Sequence, residues 1–515
     1  MKILETINRN SKLIFIGLLA LTLISKFITL INLSFLFFGG DDLVFWQVAH
    51  DYSNGLFIEP FMYGQNYNYA IESILAVPLL KLGMPFQYAM PLTTMFVGIL
   101  PFLFFAFVLF RKGWVVPSYI FLVIPLAMPI EYDIMTTITR GFVNGLFFSS
   151  FLVIPLLEPK SYKSYLLFGL MASLGYVTNP NSVVFSFPVG LYLFFNNYNT
   201  YKFYLIVLLS AVLPLCFFHV SKGFYIDNPD YLVHEMWELT FSFKRIWETL
   251  NNLNRPMQYL NPVFWSANWW VLPIVLLLSI YLLKRDWKMG LSVILGIVFI
   301  VVSFGINKVE EGIGVVFFSA SRMFFAVPIL LGLVLAWLIK TRKYNVGVVS
   351  LFVLSMVMLI LKFLIIDSKV IEHTSRKSFG PVAIESIEVL KDNCCLYQEL
   401  AKKHDADLIV FSKSKDANFS QVGIYNYGCP LLSNDFPETS MLGADRRNLT
   451  YKKHKSLIPK NVLLINYDYR TGKLENSGLD YSIIENRWRV VIIRNNQLKL
   501  PELSKKLGLS YDRNP

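Results

Sequence analysis

Long apolar stretches separated by short polar breaks fill the first 366 residues of this 515-residue chain. A helix that crosses a bilayer needs about 20 mostly apolar residues. Eleven stretches approach or reach that length, near residues 13–38, 86–110, 114–130, 141–157, 164–179, 182–197, 203–220, 267–283, 290–305, 319–339 and 345–366. The sequence therefore predicts an α-helical polytopic membrane protein with about eleven transmembrane helices. The first stretch is longer than the apolar region of a cleaved signal peptide, so we expect it to remain.

The charged residues predict an orientation in the membrane. They make up only 16% of the chain, which nevertheless has a net charge of +12. Lys and Arg concentrate in alternate loops, as the positive-inside rule describes. The richer loops contain Lys2, Arg9, Lys12, Arg111, Lys112, Lys160, Lys163, Lys202, Lys284, Arg285, Lys288, Lys340, Arg342 and Lys343. We therefore expect no nucleic-acid partner, a cytoplasmic N-terminus in the plasma (inner) membrane, and an extracytoplasmic C-terminal region.

The composition changes after Ile366, where charged residues become frequent. SIEVLKDNCCLYQELAKKH has a helical pattern, while DLIVFS, NVLLINY and RWRVVIIRN have strand patterns. The sequence therefore predicts a transmembrane domain over residues 1–366 and an extracytoplasmic α/β domain over residues 367–515. Two long external loops, residues 39–85 and 221–266, contain segments that we interpret as helices at the membrane surface.

Three of the four cysteines, Cys394, Cys395 and Cys429, fall in the predicted external domain. Disulfides persist in an oxidising compartment. Either Cys394 or Cys395 is a candidate to pair with Cys429, and unpaired thiols are an equally weighted alternative. The sequence does not choose between these arrangements.

Two adjacent carboxylates, Asp41 and Asp42, follow the first apolar stretch in the sequence GGDDLVFW. Carboxylates at a membrane surface are costly to desolvate, so they need a partner or a task. The alternative is that one of them caps the helix predicted to start there, since Asp is a good capping residue. Both roles are compatible, because a cap position also fixes the direction of the carboxylate.

Other charged residues lie near the same predicted boundary. PIEYDIMTTITR contains Glu131, Asp133 and Arg140, and SASRMFFAVP contains Arg322. An ordinary solvated loop is the alternative for the first three, and snorkelling to lipid headgroups is the alternative for Arg322. Transfer of a sugar from a polyprenyl phosphate would use such groups at this depth. A carboxylate would deprotonate the acceptor hydroxyl, and an Arg or a metal would stabilise the departing phosphate.

At these residues the sequence resembles the GT-C superfamily, in particular the bacterial family-39 branch that includes protein O-mannosyltransferases and aminoarabinose transferases. Asp41-Asp42 resembles the acidic pair that this family places after its first span. The stretch YGQNY with Glu72 and LAVP, the segment GLMASLGYVTNP and the segment SRMFFAVP also resemble family segments. The resemblance covers roughly residues 10–340. The chain departs from the family at Asp42, where Glu is usual, and at Met323, where Tyr is usual.

The resemblance implies an inverting transfer from a polyprenyl-phosphate sugar to a glycan, lipid or protein acceptor, with a first-loop Asp as general base. The candidate residues are Asp41, Asp42, Asp133 and Glu131 for catalysis, Arg322 and Arg140 for the donor phosphate, and Tyr63, Gln65, Tyr67 and Glu72 for the substrate. The family contains members with and without a metal, so a divalent metal is left open as a cofactor.

Two other functions remain as alternatives, a membrane transporter and a non-catalytic lipid-binding scaffold of the same fold. Transporters usually place polar groups near the midplane, between repeated halves. This sequence has few charges inside its apolar stretches and no evident repeat. The enzyme hypothesis rests on the carboxylates and on the resemblance, because a fold alone does not determine a function.

Overall fold

The structure is a computed structural model that describes residues 11–229, 231, 240–254, 257, 259–260, 269–306, 324–340, 345–379, 382–412, 419–433, 435–442, 456–467, 474–485 and 489–509. Its α-helices are α1 (Ser11–Thr29), α2 (Gly40–Ser53), α3 (Ile71–Lys81), α4 (Phe86–Arg111), α5 (Val115–Ala127), α6 (Ile130–Met135), α7 (Asn144–Ser149), α8 (Val153–Leu157), α9 (Tyr162–Thr178), α10 (Val183–Asn197), α11 (Tyr201–Asp227), α12 (Phe243–Asn251), α13 (Val271–Leu283), α14 (Trp287–Ser303), α15 (Val327–Ile339), α16 (Asn345–Arg376), α17 (Ile387–Lys403), α18 (Phe419–Leu432) and α19 (Leu500–Lys506). Its strands are β1 (Phe37–Gly39), β2 (Ser378–Phe379), β3 (Val382–Ser386), β4 (Leu408–Ser412), β5 (Glu438–Leu442), β6 (Val462–Ile465), β7 (Asp480–Glu485) and β8 (Val490–Arg494).

Every predicted apolar stretch overlaps a helix in the part of the chain that the structure describes. Among the described residues, four helices are long and apolar enough to cross a bilayer, namely Ser11–Ser34, Phe86–Arg111, Tyr201–Asp227 and Ser350–Arg376. Shorter apolar helices are Val115–Ala127, Asn144–Leu157, Val271–Leu283, Trp287–Ser303 and Val327–Ile339. The structure thus confirms a mostly helical chain with several apolar helices, while the number of crossings stays a prediction.

The first apolar helix ends in a widened turn. After α1 the chain forms a π-helix over Leu30–Ser34, in which the Phe35 N–H donates to the Leu30 carbonyl at 2.8 Å. Single π-turns within helices are uncommon and occur often at functional sites. Four residues separate this turn from the GGDD segment in the sequence.

The packing divides the chain into two compact units. The first contains Met1–Phe35, Pro91–Val220 and Trp237–Val382, and the second contains Leu36–Met90, Ser221–Met236 and Ala383–Pro515. The sequence-based division at residue 366 assigned the loop 39–85 to the transmembrane domain. In the structure this loop instead shares a compact unit with the C-terminal region.

A five-stranded mixed sheet of order β5-β4-β6-β8-β7 forms the centre of the second unit. Strand β4 pairs in parallel with β5 and β6, and β8 pairs antiparallel with β6 and β7. The predictions of a helix from SIEVLKDNCCLYQELAKKH and of strands from DLIVFS, NVLLINY and RWRVVIIRN are confirmed. Strands β4 and β6 are buried along their whole length, as expected when both faces of a sheet are covered.

Helix α2 belongs to the hydrophobic core on one face of this sheet. Leu43 and Phe45 of α2 share one buried cluster with Leu390 of α17 and Phe411 of β4. The approach is close, because a Cβ on Gly428 of α18 would lie 3.2 Å from the Leu43 Cδ1 atom. The sequence predicted that this segment lies at the membrane surface. Its apolar side chains instead pack inside the protein. The face of the sheet removes them from water, as a lipid surface would.

The disulfide of the second unit joins Cys394 of α17 to Cys429 of α18. Of the arrangements that the sequence left open, the structure has the bond to Cys429, with Cys394 as its partner. Cys395 is an exposed free thiol.

Candidate functional site

The two adjacent carboxylates at the start of α2 have different surroundings. The Gly39 N–H donates to the Asp42 Oδ2 atom at 2.6 Å, so Asp42 closes the first turn of the helix. Asp42 is buried, whereas Asp41 is half-buried. Asp42 thus takes the capping role that the sequence left open to either residue. Asp41 is the more accessible of the two carboxylates.

The four predicted substrate-binding residues separate into two pairs. Tyr63 and Glu72 are fully buried in the second unit, whereas Gln65 and Tyr67 are half-buried in the loop before α3. The Tyr63 hydroxyl donates to the Asp51 Oδ2 atom at 2.7 Å. Burial, together with the negative charge of Asp51, raises the pKa of Tyr63. Gln65 and Tyr67 are therefore the members of this set that a ligand reaches more easily.

Further buried acids of the first loop were not selected from the sequence. Asp51 accepts from Tyr63, and the Glu59 Oε2 atom accepts from the Tyr225 hydroxyl at 3.0 Å. Tyr69 similarly donates to the Ser221 hydroxyl at 3.0 Å. Because Ser221 and Tyr225 lie at the end of α11, these contacts connect the first loop to the start of the second long loop.

The segment from Met128 to Leu146, which the structure describes in full, is buried except at two residues. Glu131 and Arg140 are half-buried, and every other residue of the segment is buried. Hydrogen bonds tie the buried part to its neighbours, from Tyr132 to the Phe325 carbonyl at 3.2 Å, between Thr137 and Ser34 at 2.6 Å, and between Thr139 and Thr94 at 3.1 Å. The segment therefore presents two of the charged residues that the sequence selected.

Asp133 lies between two lysines in the first unit. Lys26 of α1 donates to its Oδ1 atom, and Lys362 of α16 donates to its Oδ2 atom at 2.6 Å. All three residues are at most 2% exposed. Charges persist in such apolar surroundings when they are paired and hydrogen-bonded. The sequence missed this cluster, although Lys26 and Lys362 were each visible as a charge inside an apolar stretch.

Glu131 takes part in a more exposed network. Its carboxylate lies 2.5 Å from the Lys369 Nζ atom, which also contacts Glu372 at 2.9 Å. Tyr259, from the second long loop, is close to the same acids. Burial and the charges of Glu131 and Glu372 raise the pKa of Tyr259 to about 12. Glu131 is thus placed beside Lys369, with Tyr259 in the same neighbourhood.

The backbone next to Arg140 is held by the segment TNPNS. The Asn179 side-chain amide donates to the Gly141 carbonyl at 2.7 Å, and the Asn181 amide donates to the Phe142 carbonyl at 3.0 Å. Gly141 has a φ of 74°, a left-handed conformation that glycine adopts without strain. The Arg140 guanidinium lies 5.8 Å from the centre of the Phe142 ring. The family-like segment GLMASLGYVTNP therefore ends in direct contact with the loop that carries Arg140.

Arg322, the other predicted ligand of the donor phosphate, lies outside the described residues. The described residues contain no group of three or more His, Cys, Asp or Glu side chains placed to hold a metal ion. Within the first unit, the structure brings Asp133 together with Lys26 and Lys362, and Glu131 together with Lys369. Within the second unit, it places Asp41 and Asp42 on a helix that packs against the C-terminal sheet.

Comparison with known proteins identifies the fold. No protein-family model matches the chain, and no curated protein sequence matches it. Among solved structures, ArnT from Cupriavidus metallidurans in the apo state is 12% identical with a TM-score of 0.56, and the match covers 92% of this chain and 97% of that one. ArnT from the same organism bound to undecaprenyl phosphate is 10% identical with a TM-score of 0.57, covering 93% and 98%. The chain therefore has a fold similar to that of ArnT, which agrees with the fold that the sequence resemblance implied.

Proposed function

We propose that this protein is an integral membrane glycosyltransferase that moves a sugar from a polyprenyl-phosphate donor to an acceptor at the outer face of the membrane. The observation that carries the proposal is the similarity to ArnT bound to undecaprenyl phosphate, which covers 93% of this chain. The apolar helices suit a lipid-linked donor. Asp41 and Arg140, which are both half-buried, are the proposed acid and cation.

The proposed reaction is a single displacement. Asp41 takes the proton of the acceptor hydroxyl, and the acceptor oxygen attacks the anomeric carbon of the sugar. The bond from that carbon to the phosphate oxygen breaks, and its electron pair leaves with the polyprenyl phosphate. One displacement inverts the anomeric configuration. The hydrogen bond between Gly39 and Asp42 supports the choice of Asp41 as base, because it already gives Asp42 a role in starting the helix.

Arg140 and Arg322 are proposed to bind the donor phosphate. A guanidinium suits this task, since its planar fork of donors matches two phosphate oxygens and remains charged at any physiological pH. Arg140 is supported by its position on a segment whose other residues, apart from Glu131, are buried. A divalent metal would add further stabilisation of the phosphate charge, and an assay with and without EDTA measures that dependence.

The disulfide and the distribution of Lys and Arg support the proposed orientation in the plasma membrane. Structural disulfides are rare in a reducing cytoplasm. The bond between Cys394 and Cys429 therefore favours an extracytoplasmic C-terminal region. The same orientation follows from the positive-inside rule, which assigns the Lys-rich and Arg-rich loops to the cytoplasm.

The function is tested with purified protein in lipid nanodiscs. Undecaprenyl phosphates that carry different radiolabelled sugars are offered together with the membrane fraction of the source cells as acceptor. We expect labelled product and free undecaprenyl phosphate from at least one donor, with an inverted anomeric linkage by NMR. Donor binding without transfer would identify a lipid-binding scaffold. Movement of intact donor across the membrane would identify a transporter.

A further inference from the structure

We infer that Asn179 and Asn181 are positioning residues that hold Arg140 in place for the phosphate of a lipid-linked sugar. The inference rests on the proposed function, and it gives a role to a segment that the proposed reaction does not use. It starts from the two hydrogen bonds that the side-chain amides donate to the Gly141 and Phe142 carbonyls.

The donor side chains are themselves fixed. The Asn179 Oδ1 atom accepts from the Asn181 N–H at 3.2 Å, so both ends of the Asn179 amide are engaged. The Asn179 N–H also donates to the Gly175 carbonyl at 2.9 Å, which joins the turn to the end of α9. Asn181 is only 3% exposed. A buried amide with defined partners has little freedom to reorient. These bonds therefore fix the backbone beside Arg140 relative to the end of α9.

Two glycines allow this turn to lie directly on the Arg140 segment. A Cβ on Gly145 would lie 2.8 Å from both the Asn179 carbonyl oxygen and the Asn181 Oδ1 atom. A Cβ on Gly175 would lie 3.0 Å from the Ser182 hydroxyl. A side chain at Gly145 would push the turn away from the Arg140 segment, and one at Gly175 would push it away from α9. The close contact therefore depends on glycine at both positions.

The chain is held on both sides of Arg140. On one side, the hydroxyls of Thr139 and Thr94 lie 3.1 Å apart. On the other side, Gly141 accepts from Asn179. Thr139, Thr94 and Gly141 are buried, whereas Asn179 and Arg140 are half-buried. The arrangement fixes the backbone of Arg140 on both sides of a half-buried side chain.

Fixing the backbone matters for phosphate binding by a guanidinium. The fork geometry is directional, and a misplacement of about 1 Å by a distant mutation costs up to about a hundredfold in rate. A purely structural asparagine would affect how much protein folds, but not how the folded protein uses its donor. The two roles therefore differ in their effect on the donor KM.

The first experiment compares Asn179→Ala and Asn181→Ala with a matched control, Asn197→Ala. Asn197 is also buried and donates to a loop carbonyl, that of Pro159, at 2.6 Å, but it lies at the other end of α10. We expect the first two variants to raise the donor KM, with kcat/KM per folded protein reduced up to about a hundredfold. Asn197→Ala should lower thermal stability and leave the donor KM unchanged. If the alanine variants fail to fold, Asn181→Ser is measured in their place. It keeps a small polar group that is too short to reach the Phe142 carbonyl.

The second experiment asks whether the asparagines act through Arg140. Kinetics are measured for Arg140→Gln and for Arg140→Gln combined with Asn181→Ala. Residues that act through one group are non-additive, so the second change should add less than about twofold. Independent multiplication of the two effects, or an unchanged donor KM in the folded asparagine variants, would overturn the inference. An active wild type in which Arg140→Gln has no effect also overturns it, while leaving the proposed function standing. A wild type that neither binds nor uses any undecaprenyl-phosphate sugar overturns both.

Discussion

Lys362 donates to the Asp133 Oδ2 atom at 2.6 Å, while Lys26 occupies the other oxygen of the same carboxylate. Two lysines and one aspartate carry one formal positive charge in surroundings where all three are at most 2% exposed. Asp133 therefore neutralises charge for both lysines. The cluster depends more on this one residue than on either of its partners.

The first prediction follows from that imbalance. Asp133→Asn leaves two buried ammonium groups without a counter-charge, and we expect it to destabilise the protein by about 3–5 kcal/mol. Lys362→Met leaves one lysine facing one carboxylate and should cost clearly less. Thermal unfolding of the purified protein in detergent measures both.

An exposed ion pair provides the control for this prediction. Lys112 and Glu158 lie 2.7 Å apart with their side chains about half exposed, and Lys112→Met should change stability by less than about 1 kcal/mol. Equal stability of Asp133→Asn and Lys362→Met would show that the two lysines do not depend on the shared carboxylate.

The second prediction separates Asp41 from Asp42. Asp41→Asn should leave the fold and the binding of undecaprenyl phosphate intact and reduce sugar transfer by at least about a hundredfold, the usual share of general-base catalysis. Asp42→Asn should retain most of the transfer, because an amide oxygen still accepts from the Gly39 N–H. Transfer from a defined donor is compared with lipid binding in each variant. Loss only in Asp42→Asn would move the base by one residue, and full transfer in both variants would exclude the mechanism.

The third prediction concerns Arg322. Arg322→Ala should weaken donor binding and slow departure of the phosphate, at a cost of about 3–4 kcal/mol in the transition state. Arg322→Lys should recover part of this loss, because it keeps the charge but not the planar fork. Steady-state kinetics with the lipid-linked donor give both values. Full turnover in Arg322→Ala would leave Arg322 as a residue that only contacts lipid headgroups.

The fourth prediction concerns the disulfide. Cys394→Ser should lower the free energy of unfolding by about 2–4 kcal/mol, because the bond constrains the unfolded chain across 35 residues. The neighbouring Cys395→Ser is the matched control and should have little effect. Mass spectrometry after alkylation without reduction should find Cys394 and Cys429 protected. Alkylation of Cys394 in the untreated protein would contradict the assignment.

The fifth prediction uses the native thiol of Cys395 to test orientation. This thiol is exposed in the C-terminal region, so a membrane-impermeant maleimide should label it in intact cells that express Cys216→Ser. A second variant carries Cys216→Ser, Cys395→Ser and Lys288→Cys. Its only introduced thiol, at position 288, should be labelled only after permeabilisation. The reverse pattern would invert the proposed orientation.

Local patterns predicted the helices and strands because hydropathy and periodicity act over a few residues. They did not predict the pairing of Lys362 with Asp133, which are separated by 229 positions in the chain. A single lysine near the end of an apolar stretch also fits snorkelling, so its partner is not evident from the sequence.

Helix α2 shows a second limit of the sequence. Its apolar residues beside charged ones fit a lipid surface and the face of a sheet equally well. Leu43 and Phe45 pack with Phe411, which follows them by more than 360 positions. Only the tertiary structure distinguishes the two environments, because both satisfy the same local pattern.

Lys362 and Lys369 fix the angle at which α16 is turned about its own axis. The two residues are seven positions apart, close to two helical turns, so they lie on one side of the helix. They contact Asp133 and Glu131, two acids of the short helix α6. One residue inserted between them would turn Lys369 by about 100° away from Glu131 while Lys362 stayed in place. The chain length between these lysines is therefore constrained more tightly than the identity of the residues that separate them.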